Sequence, residues 1–512
     1  MDYSIIRSNR RILYWILCVY CLAIYVPFLR AEDMKPARKY DYNWASLKSH
    51  PVPKWFDDAK FGIFIHWGPY SVLGYRKGGR GYSEHTPKEI YRNPGHYYKF
   101  MKETYGAHPP QFGYKDIIPL FKAEKWDPDK WAELFHKAGA RYVVLTAEHH
   151  DGYALWDSDL TQWCAMKIGP KRDLVGELAK AVRKRGMKYA PSYHRERHTG
   201  FFAVEKYAIK SPAHPDIAEE IARMPEAAEL YGPFEYSDAF IEDYVARWKE
   251  IEKKYKPDFM WIDDVPIFYK VKPHPQTKKF RDVFMYMIAD FFNAAEEWGK
   301  EVYLNNKGKN LNWPEGPGCL EKDNLKLETI GPKWENPATL GTSYGYLKAE
   351  ELRDAYKSPT ELIHLLCDIV SKNGNLLLNI GPRADGTIPD GMKQRLLAIG
   401  KWLQINGEAI YGTQPWVTFK QDTPDLRFTT KGKVLFAIAL AKPTKPFVIQ
   451  STKEWKAGSV TSVKLLGSDT AIEWKDTDNG IRITPPRACP GKHVWVFKIE
   501  KNANIYIDSN IQ

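Results

Sequence analysis

At 512 residues the chain is too long for one compact core and asks for a large domain with a smaller partner. Its 44% hydrophobic and 27% charged residues are those of an ordinary globular protein, which excludes a disordered or fibrous chain. A net charge of +12 admits nucleic acid as a partner, but no DNA-reading helix or aromatic-basic RNA motif is present.

The first element is a targeting segment. Arg7, Arg10 and Arg11 precede an apolar run from Ile12 to about Leu29, followed by Ala31 and the polar Glu32-Asp33-Met34-Lys35. A basic start, an apolar centre and a small residue at the exit predict a signal peptide over 1–31, hence a secreted or periplasmic protein. The run nearly suffices to cross a bilayer, so if retained it would anchor the chain to a membrane. Cleavage would remove four Arg and one Asp, leaving a net charge of about +9. For an exported basic protein an anionic, for instance sulfated, glycan is a better-suited partner than nucleic acid, because a positive surface concentrates it. After cleavage no membrane contact is expected.

From about residue 55 to 405, short apolar runs alternate with amphipathic helical stretches. Asp127-Pro128 opens a helix as cap and first-turn proline; Trp131, Leu134, Phe135 and Ala138 recur at helical spacing, and Gly139 closes it. Tyr142-Val143-Val144-Leu145 then reads as a buried strand ending at Glu148-His149-His150-Asp151-Gly152. The same unit recurs before Ser192-Tyr193-His194, before Asp263-Asp264 and before Asn305-Asn306. A helix over 360–372 precedes Leu376-Leu377-Leu378 and Asn379. This alternation predicts a parallel sheet with helical crossovers, a (β/α)8-like barrel of the TIM type over 32–412. The polar clusters fall at strand C-terminal ends, where barrel enzymes carry their chemistry. Over 413–512, short strand patterns such as Val434–Leu440 and Val494–Phe497, broken by Gly, Pro, Asp and Asn, predict a C-terminal β-sandwich.

Paired carboxylates and sugar-facing aromatics are the pattern of a glycosidase, and the chain is 14% aromatic. Asp263 and Asp264 follow an apolar strand. Adjacent strand residues point opposite ways, so only one can face a substrate; Asp263 is favoured because it shares a face with Trp261, with Asp264 as the alternative. His66, His149 and His150 also stand at strand ends. The adjacent His149 and His150 should diverge, and no third ligand stands at a metal-type spacing, so no metal and no cofactor is expected. Neutral imidazoles there suit sugar hydroxyls. Cys164, Cys319, Cys367 and Cys489 show no metal spacing and make no disulfide scaffold, though their spacing admits a bridge.

Several motifs carry a family resemblance. Trp55-Phe56, Lys60-Phe61-Gly62-Ile63-Phe64-Ile65-His66-Trp67-Gly68, Glu148-His149-His150-Asp151-Gly152-Tyr153 with Leu155-Trp156, and Asp368 through Pro382 with Asp385-Gly386-Thr387 resemble glycoside hydrolase family 29 in the right order. The junction Gly407-Glu408-Ala409-Ile410-Tyr411-Gly412-Thr413 does too. The resemblance implies a barrel-plus-sandwich exo-α-L-fucosidase that retains anomeric configuration. Trp261-Ile262-Asp263 matches the family's nucleophile motif and so implies that Asp263 is the nucleophile. His66, Glu84, His149, His150 and Tyr193 are the implied sugar contacts, with Trp156 and His85 added as substrate-binding positions. The implied acid/base lies in a variable segment after Asn305: Glu321 is the first choice and Glu315 the runner-up. Glu328 also falls there, and Glu335 is expected to anchor a loop. The family often has Glu-Trp where this chain has Glu84-His85, and Asn-Asp-Arg where it has Asn305-Asn306-Lys307. Those departures leave an α-L-galactoside as an alternative substrate, with His85 as a partner for the extra hydroxyl. A catalytically inactive glycan-binding protein is the alternative from another class.

Overall fold

The computed structural model describes residues 39–78, 81–204, 210–263, 275–305, 318–319, 329–452, 455 and 457–505. The expected signal segment 1–31, Asp264, Asn306, Lys307, Glu315, Glu321 and Glu328 lie outside the described residues. No helix among the described residues is long and apolar enough to cross a membrane.

Residues from Tyr42 onward form one compact unit. Eight strands make up its principal sheet: β1 (Phe61–Ile65), β2 (Tyr142–Glu148), β3 (Lys188–Tyr193), β4 (Phe259–Ile262), β5 (Tyr303–Leu304), β6 (Gly318–Cys319), β7 (Trp334–Thr339) and β8 (Gly374–Ile380). Their order is β5-β4-β3-β2-β1-β8-β7-β6, and every pairing is parallel. Among the described residues the two-residue strands β5 and β6 are the sheet's edges. Every residue of β1, β2, β4, β7 and β8 is buried, as expected of parallel strands covered on both faces.

Several helices begin where a side chain satisfies a free backbone N–H. Asp127 accepts from Lys130 N–H at 3.0 Å and starts helix Pro128–Lys137. Ser358 and Glu361 form a reciprocal capping box at the start of helix Pro359–Ser371. The long helix that precedes β5 runs from Pro275 to Glu297.

Strand alternation decides what the sheet's inner face contains. Phe64, Tyr142, Val144, Ala190, Phe259, Trp261, Tyr303 and Leu377 pack into one buried cluster. Gly62 makes room for it: a Cβ there would lie 2.4 Å from the Tyr142 ring, with which it is in register. The inward positions further toward the strand C-termini are polar, namely His66, Ser192, His194, Asp263 and Asn379.

The C-terminal region adds β9 (Gln414–Gln421), β10 (Leu426–Lys431), β11 (Val434–Ala439), β12 (Phe447–Gln450), β13 (Val460–Leu465), β14 (Glu473–Thr477), β15 (Gly480–Thr484) and β16 (Trp495–Lys501). They form a five-stranded sheet, β13-β16-β11-β10-β9, and a three-stranded sheet, β12-β15-β14, both antiparallel. Residues of both sheets, including Phe428, Ile449, Ile481 and Phe497, share one apolar core. Arg427 on β10 ties this region to helix Pro359–Ser371 through Asp368 at 2.7 Å. Cys164, Cys367 and Cys489 are free thiols, all buried.

Candidate active site

At the C-terminal end of β4, Asp263 is 8% exposed. Its Oδ2 lies 3.1 Å from His150 Nε2 and 3.4 Å from His194 Nδ1. The strand end that carries it is clamped by Asn305, the residue after β5. Asn305 Oδ1 accepts from Ile262 N–H at 2.5 Å, and its Nδ2 donates to Ile262 O at 2.9 Å. This two-point bond replaces the ladder contacts that β5, two residues long, cannot supply.

Around Asp263 stands a cluster of imidazoles. His149 and His150 lie with ring centroids 4.3 Å apart, His149 and His194 at 5.1 Å, and His66 and His149 at 5.8 Å. The expectation that the adjacent His149 and His150 diverge fails, because β2 ends at Glu148 and strand alternation no longer applies beyond it. A turn follows instead, closed by Gly152 at φ +80°, where a Cβ would meet the His198 ring at 2.3 Å. His150 Nδ1 faces His194 O at 2.9 Å; a carbonyl only accepts, so that nitrogen carries the proton. His66 Nδ1 pairs with Asn379 Oδ1 at 2.7 Å, and Asn379 Nδ2 donates to Tyr344 O at 2.7 Å. Burial holds His85, His149 and His150 well below the ordinary histidine range, with Lys88 and Arg197 adding to it at His85 and His150. These rings are neutral at neutral pH.

The cluster also overturns the ground on which a metal was set aside. Third ligands absent from the local sequence are present in space: His66, His149 and His194, or His85, His149 and His150, or His150, His194 and Asp263 place ligand atoms within 4.8 Å of one another.

Glu84 and His85 arrive on a short 3-10 helix, Ser83–His85, in the excursion between β1 and β2. The Glu84 carboxylate accepts from Gly345 N–H at 2.8 Å and Ser343 Oγ at 3.2 Å, and burial raises its pKa to about 7. The His85 ring lies 5.8 Å from that of His150 and 6.0 Å from that of His149. It therefore borders the imidazole cluster.

Two expected sugar contacts sit elsewhere. Tyr193 points to the opposite face of β3 from Ser192 and His194; its hydroxyl donates to Tyr244 O at 3.0 Å, and its ring packs on Tyr244 and Trp248. Trp156 is fully buried, and its indole donates to Glu250 Oε2 at 2.7 Å on helix Asp238–Tyr255. Both face that helix. Glu335, expected to anchor a loop, lies instead within β7 on the inner face of the sheet. It accepts from Tyr142 OH at 2.5 Å and from Trp261 Nε1 at 3.0 Å, and burial raises its pKa to about 7.

Sequence reasoning passed over His194, Ser192, Asn305 and the support of Glu148. His194 Nε2 bonds Ser192 Oγ, and the period of two along β3 already places those residues on one face. Glu148 is fully buried, paired with Arg195 Nη1 at 2.5 Å and Arg247 Nη1 at 3.5 Å; Asp243 bonds both arginines. Such pairing between distant segments leaves no mark in the local sequence.

A buried carboxylate ringed by neutral imidazoles, with Trp261 and Phe64 as apolar walls, is suited to gripping sugar hydroxyls around a reacting carbon. Comparison with known proteins agrees. The family model described as Alpha-L-fucosidase matches residues 28–408, and that described as Alpha-L-fucosidase C-terminal domain matches residues 420–500. Tissue alpha-L-fucosidase of Homo sapiens is 33% identical over 487 residues, covering 91% of this chain and 92% of the human protein. The alpha-L-fucosidase of Dictyostelium discoideum is 32% identical, covering 90% and 95%. The crystal structure of Thermotoga maritima alpha-fucosidase in complex with a mechanism-based inhibitor shares the fold with a TM-score of 0.74 at 32% identity, covering 90% of this chain and all of that one. With both domains matched in order and relatives aligned along nearly their whole length, the chain belongs to the α-L-fucosidases of glycoside hydrolase family 29.

Proposed function

We propose that the protein is a secreted retaining exo-α-L-fucosidase in which Asp263 is the nucleophile. The observation that carries this reading is the position of the Asp263 carboxylate, at a strand end and between His150 and His194. One carboxylate oxygen attacks the anomeric carbon as the glycosidic C–O bond breaks, and the leaving oxygen takes a proton from an acid. Water then cleaves the glycosyl ester, losing its proton to the same acid/base residue. The mechanism-based inhibitor bound by the Thermotoga maritima relative supports a covalent course. Glu321, or next Glu315, is the acid/base; both lie outside the described residues. His66, His149 and His150 supply donors and acceptors to sugar hydroxyls, and Glu84 with His85 completes the rim. Closure of the parallel sheet into a (β/α)8 barrel between β5 and β6 belongs to the same reading, as does export directed by residues 1–31.

The basic balance favours an anionic, for instance sulfated, glycan as the natural substrate. His85 at the edge of the cluster favours a second reading, turnover of an α-L-galactoside, whose extra hydroxyl it could bond. Release of 4-nitrophenol from both glycosides tests the two together. Turnover should fall by roughly three orders of magnitude or more in Asp263→Ala, and proton NMR of the first-formed sugar should show the α anomer. A fully active Asp263→Ala protein refutes the assignment of the nucleophile. A β anomer as first product refutes retention.

A further inference from the structure

The cluster around Asp263 has the geometry of a transition-metal site. Donor atoms about 2.0–2.1 Å from a zinc ion lie roughly 2.9–3.4 Å apart along the edges of its coordination polyhedron. Asp263 Oδ2 lies 3.1 Å from His150 Nε2 and 3.4 Å from His194 Nδ1, and all three atoms fall within 4.8 Å of one another. Two imidazoles and one carboxylate are a donor set that zinc and its neighbours in the first transition row accept.

The outer shell is built as well. His150 Nδ1 is committed to the His194 carbonyl, which fixes its proton there and turns the lone pair of Nε2 toward Asp263. His194 Nε2 is held by Ser192 Oγ, which leaves Nδ1 toward the same carboxylate. His150 Nε2 and the carboxylate oxygen face each other across 3.1 Å as two donor atoms that a single cation can bridge. Asp263 follows β4, whose end is clamped by Asn305, and His194 follows β3, so two of the three donors are positioned by the sheet.

We propose that His150, His194 and Asp263 bind one Zn²⁺ or similar divalent transition ion, which blocks the active site in competition with the sugar. The ion takes the carboxylate oxygen that would otherwise attack and the imidazole nitrogens beside it. It leaves positions open for water, as three-ligand zinc sites do. Metal binding is thus reversible inhibition.

The test uses the full chain freed of metal by chelation. Titration with Co²⁺ as the spectroscopic probe should give visible d–d absorption that saturates at one ion per chain. Fucose should displace the Co²⁺, and Zn²⁺ should raise KM without lowering kcat until EDTA is added. Asp263→Asn and His150→Gln should each weaken Co²⁺ binding by about tenfold or more, read by the absorbance alone, which needs no turnover. If a variant fails to fold, as judged by circular dichroism, displacement by fucose from the wild type decides alone. The proposal is overturned if Co²⁺ gives no saturable spectrum, if fucose leaves the spectrum unchanged, or if folded variants bind the ion as the wild type does. Because the spectrum is read without substrate turnover, a protein that cleaves no fucoside but binds one Co²⁺ that fucose displaces would sink the fucosidase reading and leave this one standing.

Discussion

Replacement of Glu335 by Gln should make the protein less sensitive to rising pH. The Glu335 side chain has no exposed surface, and its two acceptor bonds come from neutral donors, Tyr142 OH and Trp261 N–H. Burial is the dominant cause of a pKa raised from the ordinary 4.5 to about 7, with the two hydrogen bonds opposing it. The raised value means that the folded state favours the protonated form. Its contribution to stability is therefore fully present below about pH 4.5 and is lost as pH rises through about 7. The difference corresponds to about 3 kcal/mol at 1.36 kcal/mol per pH unit. Gln retains both contacts, accepting from Trp261 with its carbonyl and donating to the Tyr142 oxygen with its amide. Relative to wild type, Glu335→Gln should thus gain on the order of 3 kcal/mol between pH 4.5 and 8. Urea unfolding of both proteins at half-unit pH steps measures this difference. Other buried carboxyls raised to about 7, such as Glu84 and Asp151, cancel in the comparison. Parallel stability–pH curves for the two proteins would refute the reasoning. Glu335→Leu, which strands both donors, should instead destabilise at every pH by roughly 2–5 kcal/mol.

Asn305→Ala removes the clamp on Ile262 and should lower kcat by about 10–100-fold while the protein stays folded, since small displacements of a reacting group are costly. An unchanged kcat would show that β4 holds Asp263 unaided. Tyr193→Phe deletes one buried hydrogen bond to Tyr244 and should cost about 1 kcal/mol in urea unfolding, with kcat/KM within twofold of wild type. A large rise in KM would return Tyr193 to the sugar pocket. Asp57 accepts from the buried amines of Lys60 at 3.3 Å and Lys333 at 3.0 Å, and those ammonium groups help hold its carboxyl well below the ordinary range. Asp57→Ala should therefore destabilise by about 3–5 kcal/mol, because it removes the carboxylate that the buried Lys60 and Lys333 amines share. A loss below 1 kcal/mol in chemical denaturation would contradict that.

Much of this molecule is determined by the sequence alone. Apolar runs with caps such as Asp127 and Ser358 specify helices and strands through local backbone chemistry, so the alternating architecture and the strand-end position of Asp263 are legible without coordinates. Period-two alternation likewise puts Trp261 with Asp263, and Ser192 with His194, because neighbouring Cβ atoms point to opposite faces. What only the tertiary structure decided is which strand ends meet. His150 and His194 both reach Asp263 from segments 113 and 69 residues away, and nothing local encodes that convergence. The same holds for Trp156 and Tyr193, whose polar atoms are claimed by helix Asp238–Tyr255. It holds again for Glu335, whose partners lie on β2 and β4. A side chain's partners depend on packing across the sheet, and sheet packing is a property of the whole chain.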